Sequence, residues 1–294
     1  MSFKTSIKDF IPPFVLRRVR PLKRNIKRFF EGHGEDWIVL TQGPLEGLEF
    51  FCSGLRREAI RLVASGKIDD YLFDYVKTAE PEGKVLFDVG AYVGYVTLGF
   101  AKLVGAEGKV LAFEPNSGNR AWLESQWNKN TSVQDRIRIV PVALSDRNGE
   151  EEFVYSDSVF DGRASGSFLE SASTFAPREV YELEQGFKRC LVKTQTLDDF
   201  AEKEKIWPDI IKIDVEGAEA SVIKGAARTI DSRKPLILVE LHSIKNAWEV
   251  TAMLSEHGYR TSLLKQEADG RCFVAARSQE RSQLVHGNIA ASVS

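Results

Sequence analysis

The sequence predicts an α/β chain built on a doubly wound, mostly parallel β-sheet. Two observations predict it. Short apolar runs alternate with helical patterns from residue 84 to about residue 276. Strands that alternate with helices pair in parallel through right-handed crossovers. The first run, "VLFDV", carries an acid and opens into the glycine turn "GAYVG" before a helical pattern begins. In open sheets of this kind, ligands bind beyond the carboxyl ends of the strands, where strand order reverses.

The elements follow in order. In "DWIVLTQGPLEGLEFFCSG" two β-rich runs flank a glycine and proline turn, which reads as a hairpin. Residues 56–79 have a helical pattern with a break near Gly66, and Pro81 and Gly83 punctuate the chain. Residues 1–83 are thus a basic amphipathic segment, a hairpin and helices; 84–276 form the main domain; 277–294 are a polar tail. Within the main domain, strands are predicted at Val85–Val89, Lys109–Phe113, Ile137–Val142, Ile210–Val215 and Leu236–Leu241. Helices are predicted at Tyr95–Leu103, Asn119–Asn128, Ala218–Thr229 and Ala247–His257. Tyr259–Leu264 and Arg271–Ala275 close the domain as a hairpin around "KQEADG", adding an antiparallel C-terminal edge strand. Residues 150–196 break the rhythm. They hold a strand signal in "EEEFVYS", a Gly/Ser-rich stretch and a strand leading to a helix in "CLVKTQTLDDFAEKE". An insert of that length at the carboxyl edge of a sheet reads as a lid or substrate loop.

Bulk properties narrow the class. An apolar fraction of 43% with 28% charged residues is ordinary for a globular protein. No apolar run approaches the ~20 residues of a membrane-spanning helix. Cys52, Cys190 and Cys272 are far apart and in no metal or redox spacing, so they read as reduced thiols of a cytoplasmic protein. The net charge of −2 hides an asymmetry: residues 1–30 carry nine Lys/Arg against Asp9 alone. Val15, Val19, Leu22, Ile26 and Phe29 recur at steps of three and four, with Pro21 interrupting. Such a segment either docks its stripe on its own domain or lies peripherally on an anionic membrane or an acidic partner.

The first turn indicates its ligand. Gly90 and Gly94 let the backbone bend and a ligand approach, and Thr97 sits in the first turns of the following helix, whose amino end favours an anionic group. The spacing is Gly-x-x-x-Gly, not the dinucleotide fingerprint, and Asp88 precedes it. A carboxylate there would repel a pyrophosphate and would suit an amino-acid ammonium group. Glu114 ends the second strand in "VLAFEP" and is placed to accept hydrogen bonds from ribose hydroxyls. That pairing favours S-adenosylmethionine over NAD. Ala91, Tyr92 and Pro115 belong to the same two turns, and Ala143 and Leu144 in "VPVALSD" are placed against the adenine.

At "IIKIDVEGAEASVIKGA" the chain resembles the FkbM family of S-adenosylmethionine-dependent methyltransferases. "FDVGAYVGYVTLGFAK", "GKVLAFEPN", "VALSDRNG", "TLDDF" and "LILVELH" stand in the family's order, so the resemblance covers residues 84–243. It implies a class I methyltransferase, Rossmann-like fold and O-methylation, often of a sugar or other secondary-metabolite hydroxyl. One residue departs from the family's wording: Tyr92 stands where the family commonly has Asn.

An alcohol gives up its proton reluctantly, so a base or a metal ion must assist methyl transfer. Candidates cluster after the fourth and fifth strands: Asp214, Glu216, Glu240 and His242, with Glu219 ranked lower as a partner of the helix dipole. His242 is the natural base near neutral pH. Asp214 and Glu240 are an alternative pair for a divalent cation, which is not the favoured reading. The expected acceptor is a hydroxyl of a small molecule, sugar or glycan. Two other classes stand beside it. A nucleic-acid methyltransferase would use the basic N-terminus, but the only Pro-Pro lies in "FIPPF", away from the fourth strand. A membrane-associated module that binds its ligand without turning it over is the other.

Overall fold

The computed structural model describes residues 37–52, 57–156, 168–169, 187–268 and 270–280. The basic segment 1–30, most of the Gly/Ser-rich stretch and the tail beyond residue 280 lie outside the described residues. The chain divides between Ile68 and Asp69 into two compact units. In the first, β1 (Trp37–Val39) and β2 (Glu49–Phe51) form the expected antiparallel hairpin, followed by α1 (Arg57–Ser65). The second unit opens with α2 (Asp70–Lys77), ahead of the start expected at residue 84.

The second unit is built on a seven-stranded sheet. Its parallel strands are β3 (Val85–Val89), β4 (Lys109–Phe113), β5 (Ile137–Val140), β10 (Ile210–Ile213) and β11 (Leu236–Leu241). The last two are β12 (Tyr259–Gln266) and β13 (Cys272–Ser278), and the order across the sheet is β12-β13-β11-β10-β3-β4-β5. Strand order reverses between β3 and β10, as in a class I methyltransferase sheet.

The antiparallel strand is present, but it sits one place in from the edge. β13 pairs with β11 and β12 closes the edge outside it. The physical reason is composition. Phe273, Val274, Ala275 and Ala276 are all buried, whereas most of β12 is partly or fully exposed. An inner strand is covered on both faces; an edge strand meets water.

Two other boundaries differ from expectation. β5 stops at Val140 because Pro141 has no N–H to give the ladder. The helix expected over 218–229 is two: α7 (Glu219–Lys224) and α8 (Ala227–Arg233). Gly225 lies at the break, where a side chain would drive a Cβ to 2.0 Å from the Ser145 carbonyl oxygen. The buried Asp198 carboxylate receives the N–H groups of Arg228 and Thr229, both at 2.8 Å, and so caps α8. The motifs "VALSD", "TLDDF" and "IKGA" thus meet one another as framework.

Alternation along the strands sets the two faces. Phe87, Val89, Leu111, Phe113, Ile211, Ile213, Ile237 and Val239 enter one continuous core. It is covered by α6 (Leu197–Glu204), α7, α8 and α9 (Ile244–Glu256), through residues such as Phe200, Ile223, Ile230 and Val250. Phe113 and Phe200 meet edge to face at 4.9 Å between centroids. Asp88 and Lys212 point to the opposite face, towards α3 (Tyr95–Leu103). Beyond β5 the chain passes into a second sheet. That sheet orders β6 (Ala143–Leu144), β9 (Phe187–Gln195), β7 (Gly149–Ser156) and β8 (Phe168–Leu169) side by side. The described part of the insert is therefore a small sheet rather than an open loop. Helix α4 (Ser117–Lys129) follows β4, and the short α5 (Thr131–Gln134) leads into β5.

Candidate active site

The turn after β3 is shaped by close contact with β10. Gly90 has φ +82°, and a Cβ there would lie 1.8 Å from the Asp214 carbonyl oxygen. Only glycine meets both conditions. Lys212, buried, binds the turn from below. Its ammonium donates to the Gly90 carbonyl at 2.9 Å and lies 3.2 Å from Asp88 and 3.3 Å from Asp214. Burial alone would strip its proton, but Asp88 and then Asp214 hold its pKa well above the ordinary lysine value.

Above the turn is a cleft of about 700 Å³, partly continuous with solvent. Its floor includes Gly90, Tyr92, Glu114 and Pro115; Val142, Leu144, Phe153 and Leu169 make an apolar wall; Asp214 and Glu216 line it as well. Glu114 is oriented by three donors. Its Oε2 accepts from the Tyr92 N–H at 2.9 Å, and its Oε1 accepts from the Asn116 N–H at 2.9 Å and from Asn119 at 3.2 Å. Burial pushes its pKa up to about 7 against the pull of those hydrogen bonds. Asn116 also caps α4, its side chain accepting from the N–H groups of Gly118 and Asn119.

At the far side of the cleft, β10 and β11 bring acids and a histidine together. Ile213 pairs with Val239, so Asp214 comes beside Glu240, with Glu216 and His242 two residues further on. His242 Nδ1 lies 2.8 Å from Glu219 Oε1, which also accepts from the Gly217 N–H at 2.9 Å. Nε2 faces Glu216 at 3.3 Å, Asp214 at 3.7 Å and Glu240 at 3.8 Å. Burial would lower the His242 pKa, but the Glu219 hydrogen bond and the Glu216 carboxylate outweigh it and push it up to about 9. Burial, with Asp214 and Glu240 nearby and His242 opposing, pushes Glu216 up to about 8. Glu240 rises to about 7 through burial and Asp214, although its Oε1 accepts from Arg271 at 2.9 Å.

The expected residues separate into three groups. Gly90, Tyr92, Glu114, Pro115, Leu144, Asp214 and Glu216 line the cleft. Glu240 and His242 stand beside it in the acid cluster. Asp88, Ala91, Gly94, Thr97 and Ala143 support it from behind. Asp88 is closed off from water and accepts from the Thr97 hydroxyl at 2.6 Å. Neither residue offers its polar group to a ligand, which corrects the roles expected for them towards an ammonium and a carboxylate. Ala91 packs with Ala112 and Leu123, Gly94 caps α3 and Ala143 lies in a small core with Phe153 and Leu169. His242, expected as a base, has its pKa raised by these carboxylates, so a proton on the ring is favoured there. Sequence reasoning missed Lys212, although the apolar run "IIKI" with one internal lysine was its signal. It also missed Phe153, Leu169 and Arg271, which reach the site only through the second sheet and the last hairpin.

Known proteins compare as follows. The family described as "Methyltransferase FkbM domain" matches residues 88–261. The hexuronic acid methyltransferase AglP of Haloferax volcanii is 28% identical over 203 residues, which cover 67% of this chain and 72% of that protein. The 2-O-methyltransferase NoeI of Sinorhizobium fredii is 27% identical over 187 residues, 62% of this chain and 71% of that protein. A crystal structure of an FkbM methyltransferase from Methylobacillus flagellatus aligns with a TM-score of 0.46 at 18% identity, over 74% of this chain and 58% of that one. With more than half its length matched, the chain belongs to the FkbM family of S-adenosylmethionine-dependent methyltransferases.

Proposed function

We propose that this methyltransferase acts on a hydroxyl of a sugar or glycan unit. The observation that carries the reading is continuity. One cleft runs from Glu114 at the end of β4 to Asp214 and Glu216 after β10, so a ribose acceptor and proton-handling acids share one space. The names of the two curated relatives, one for a hexuronic acid and one for 2-O-methylation, support the choice of acceptor.

The residues present fit S-adenosylmethionine. Glu114 is held with its carboxylate towards the cleft and has acceptor capacity left for a ribose hydroxyl. Val142, Leu144, Phe153 and Leu169 offer an apolar surface to a base. Gly90 carries no side chain that would fill the turn. When bound, the donor supplies a methyl group already activated on a sulfonium. The chain's task is then to align the hydroxyl and receive its proton. Glu216 takes the proton in this reading. It lines the cleft, and its raised pKa gives it the basicity a carboxylate ordinarily lacks. His242, held by Glu219, stands among the surrounding acids.

The test is direct. Tritiated S-adenosylmethionine is incubated with the protein and a panel of monosaccharides, uronic acids and oligosaccharides, with RNA and DNA in parallel. Alkali-stable label in a sugar supports the reading. Label in nucleic acid alone, or calorimetric binding of NAD without S-adenosylhomocysteine, overturns it.

A further inference from the structure

We propose that Asp214, Glu240 and His242 form a site for a single divalent cation of the Mn²⁺ type at the carboxyl ends of β10 and β11. Their donor atoms lie within 4.8 Å of one another. Proximity among acids is common, so the weight falls on His242.

The His242 side chain is 1% exposed, and among the described residues its Nε2 has no hydrogen-bond partner. The nitrogen is surrounded by acceptors rather than donors: Glu216 at 3.3 Å, Asp214 at 3.7 Å and Glu240 at 3.8 Å. The last two separations are too long for hydrogen bonds. They suit ligands of one ion, because atoms each ~2.1 Å from a cation stand ~3 to ~4.2 Å apart. A buried nitrogen among carboxylates needs a positive charge there, either its own proton or a cation that displaces it.

The other side of the ring is prepared for that role. Glu219, fully buried, accepts from the Gly217 N–H and so is the acceptor in its 2.8 Å contact with His242 Nδ1. The Nδ1 proton is therefore held by Glu219, and a cation that displaces the Nε2 proton meets a lone pair directed into the cluster. A carboxylate behind a metal-binding imidazole does this wherever it occurs. Charge is also in surplus. Five carboxyl groups, Asp88, Asp214, Glu216, Glu219 and Glu240, share Lys212, Arg271 and the His242 ring. One imidazole with two carboxylates favours a first-row divalent ion over Ca²⁺.

The role of the cation rests on the methyl-transfer reading: it would hold the acceptor oxygen and make its proton easier to remove. Its binding does not. The experiment therefore uses the metal alone. Chelator-treated full-length protein is titrated into Mn²⁺, and free Mn²⁺ is read by electron paramagnetic resonance. The expected result is saturable loss of the free signal, competed by Zn²⁺. Glu240→Gln and His242→Gln should abolish it, and Glu219→Gln should weaken it by about ten- to a hundred-fold. Calorimetry with S-adenosylhomocysteine on the same samples shows whether each variant is folded. A wild-type protein that leaves the free signal unchanged overturns the proposal. So does Mn²⁺ uptake that survives in folded His242→Gln. Uptake of Mn²⁺ by a protein that binds no S-adenosylhomocysteine would instead sink the methyl-transfer reading and leave the site standing.

Discussion

Lys212 and Asp88 face each other across β10 and β3, nitrogen to oxygen 3.2 Å, both closed off from water. The pair is directly opposite in the sheet register and joins the floor of the donor turn to the strand beside it. Removing one member of a buried pair leaves an uncompensated charge. Lys212→Met should therefore lower stability by about 3–5 kcal/mol. Asp88→Asn combined with Lys212→Met should recover part of that loss. Urea unfolding of the two variants checks both; equal stability of wild type and the single variant would show that the pair contributes nothing.

Tyr92 explains how one residue can leave the family's wording without losing the site. Its φ is +49°, in the left-handed region that asparagine tolerates better than tyrosine. The contact it makes to Glu114 is through its N–H, so it is independent of the side chain. Tyr92→Asn should raise stability by about 0.5–1 kcal/mol through reduced backbone strain. Thermal unfolding measures the gain. Binding of S-adenosylhomocysteine should persist, and its loss would mean that the tyrosine ring itself holds the ligand.

Glu114 makes donor binding pH-dependent. Its pKa, pushed up to about 7 in the folded protein, lies above the ordinary glutamate value. Between those values the folded state holds more protons than the unfolded one, so this group's contribution to stability falls as pH rises through that window. Hydroxyl donors favour the ionised form, so binding of S-adenosylhomocysteine should run the other way. Affinity should rise about ten-fold from about pH 6 to about pH 8 and then level off. Calorimetry across that range checks it. Glu114→Gln should bind more weakly and with no such slope; a flat wild-type profile would remove Glu114 as the ribose acceptor.

Glu216 governs turnover rather than donor binding. Glu216→Gln should cut turnover by about 100-fold or more, the usual worth of a positioned proton acceptor. Its affinity for S-adenosylhomocysteine should change little, because Glu216 handles the acceptor's proton. Single-turnover methyl transfer separates the two effects. Undiminished turnover would return the role to another member of the cluster.

The alternation of strands and helices, the ligand-bearing turn, Glu114 and the acids after the fourth and fifth strands were legible from residue order alone. These are local patterns: apolar runs of strand length, glycines where a strand must turn, acids at strand ends. What each acid faces was set by the packing of the fold. Asp88 turned away from the cleft because strand alternation aimed it at Lys212, 124 residues further along the chain. The pKa of His242 is raised because Glu219, Glu216 and Asp214 converge on it from α7 and from the turn after β10. Strand β13 took the place beside β11 because its apolar side chains needed cover on both faces. Charge state and burial are properties of neighbours, and neighbours this distant in the chain are chosen by packing.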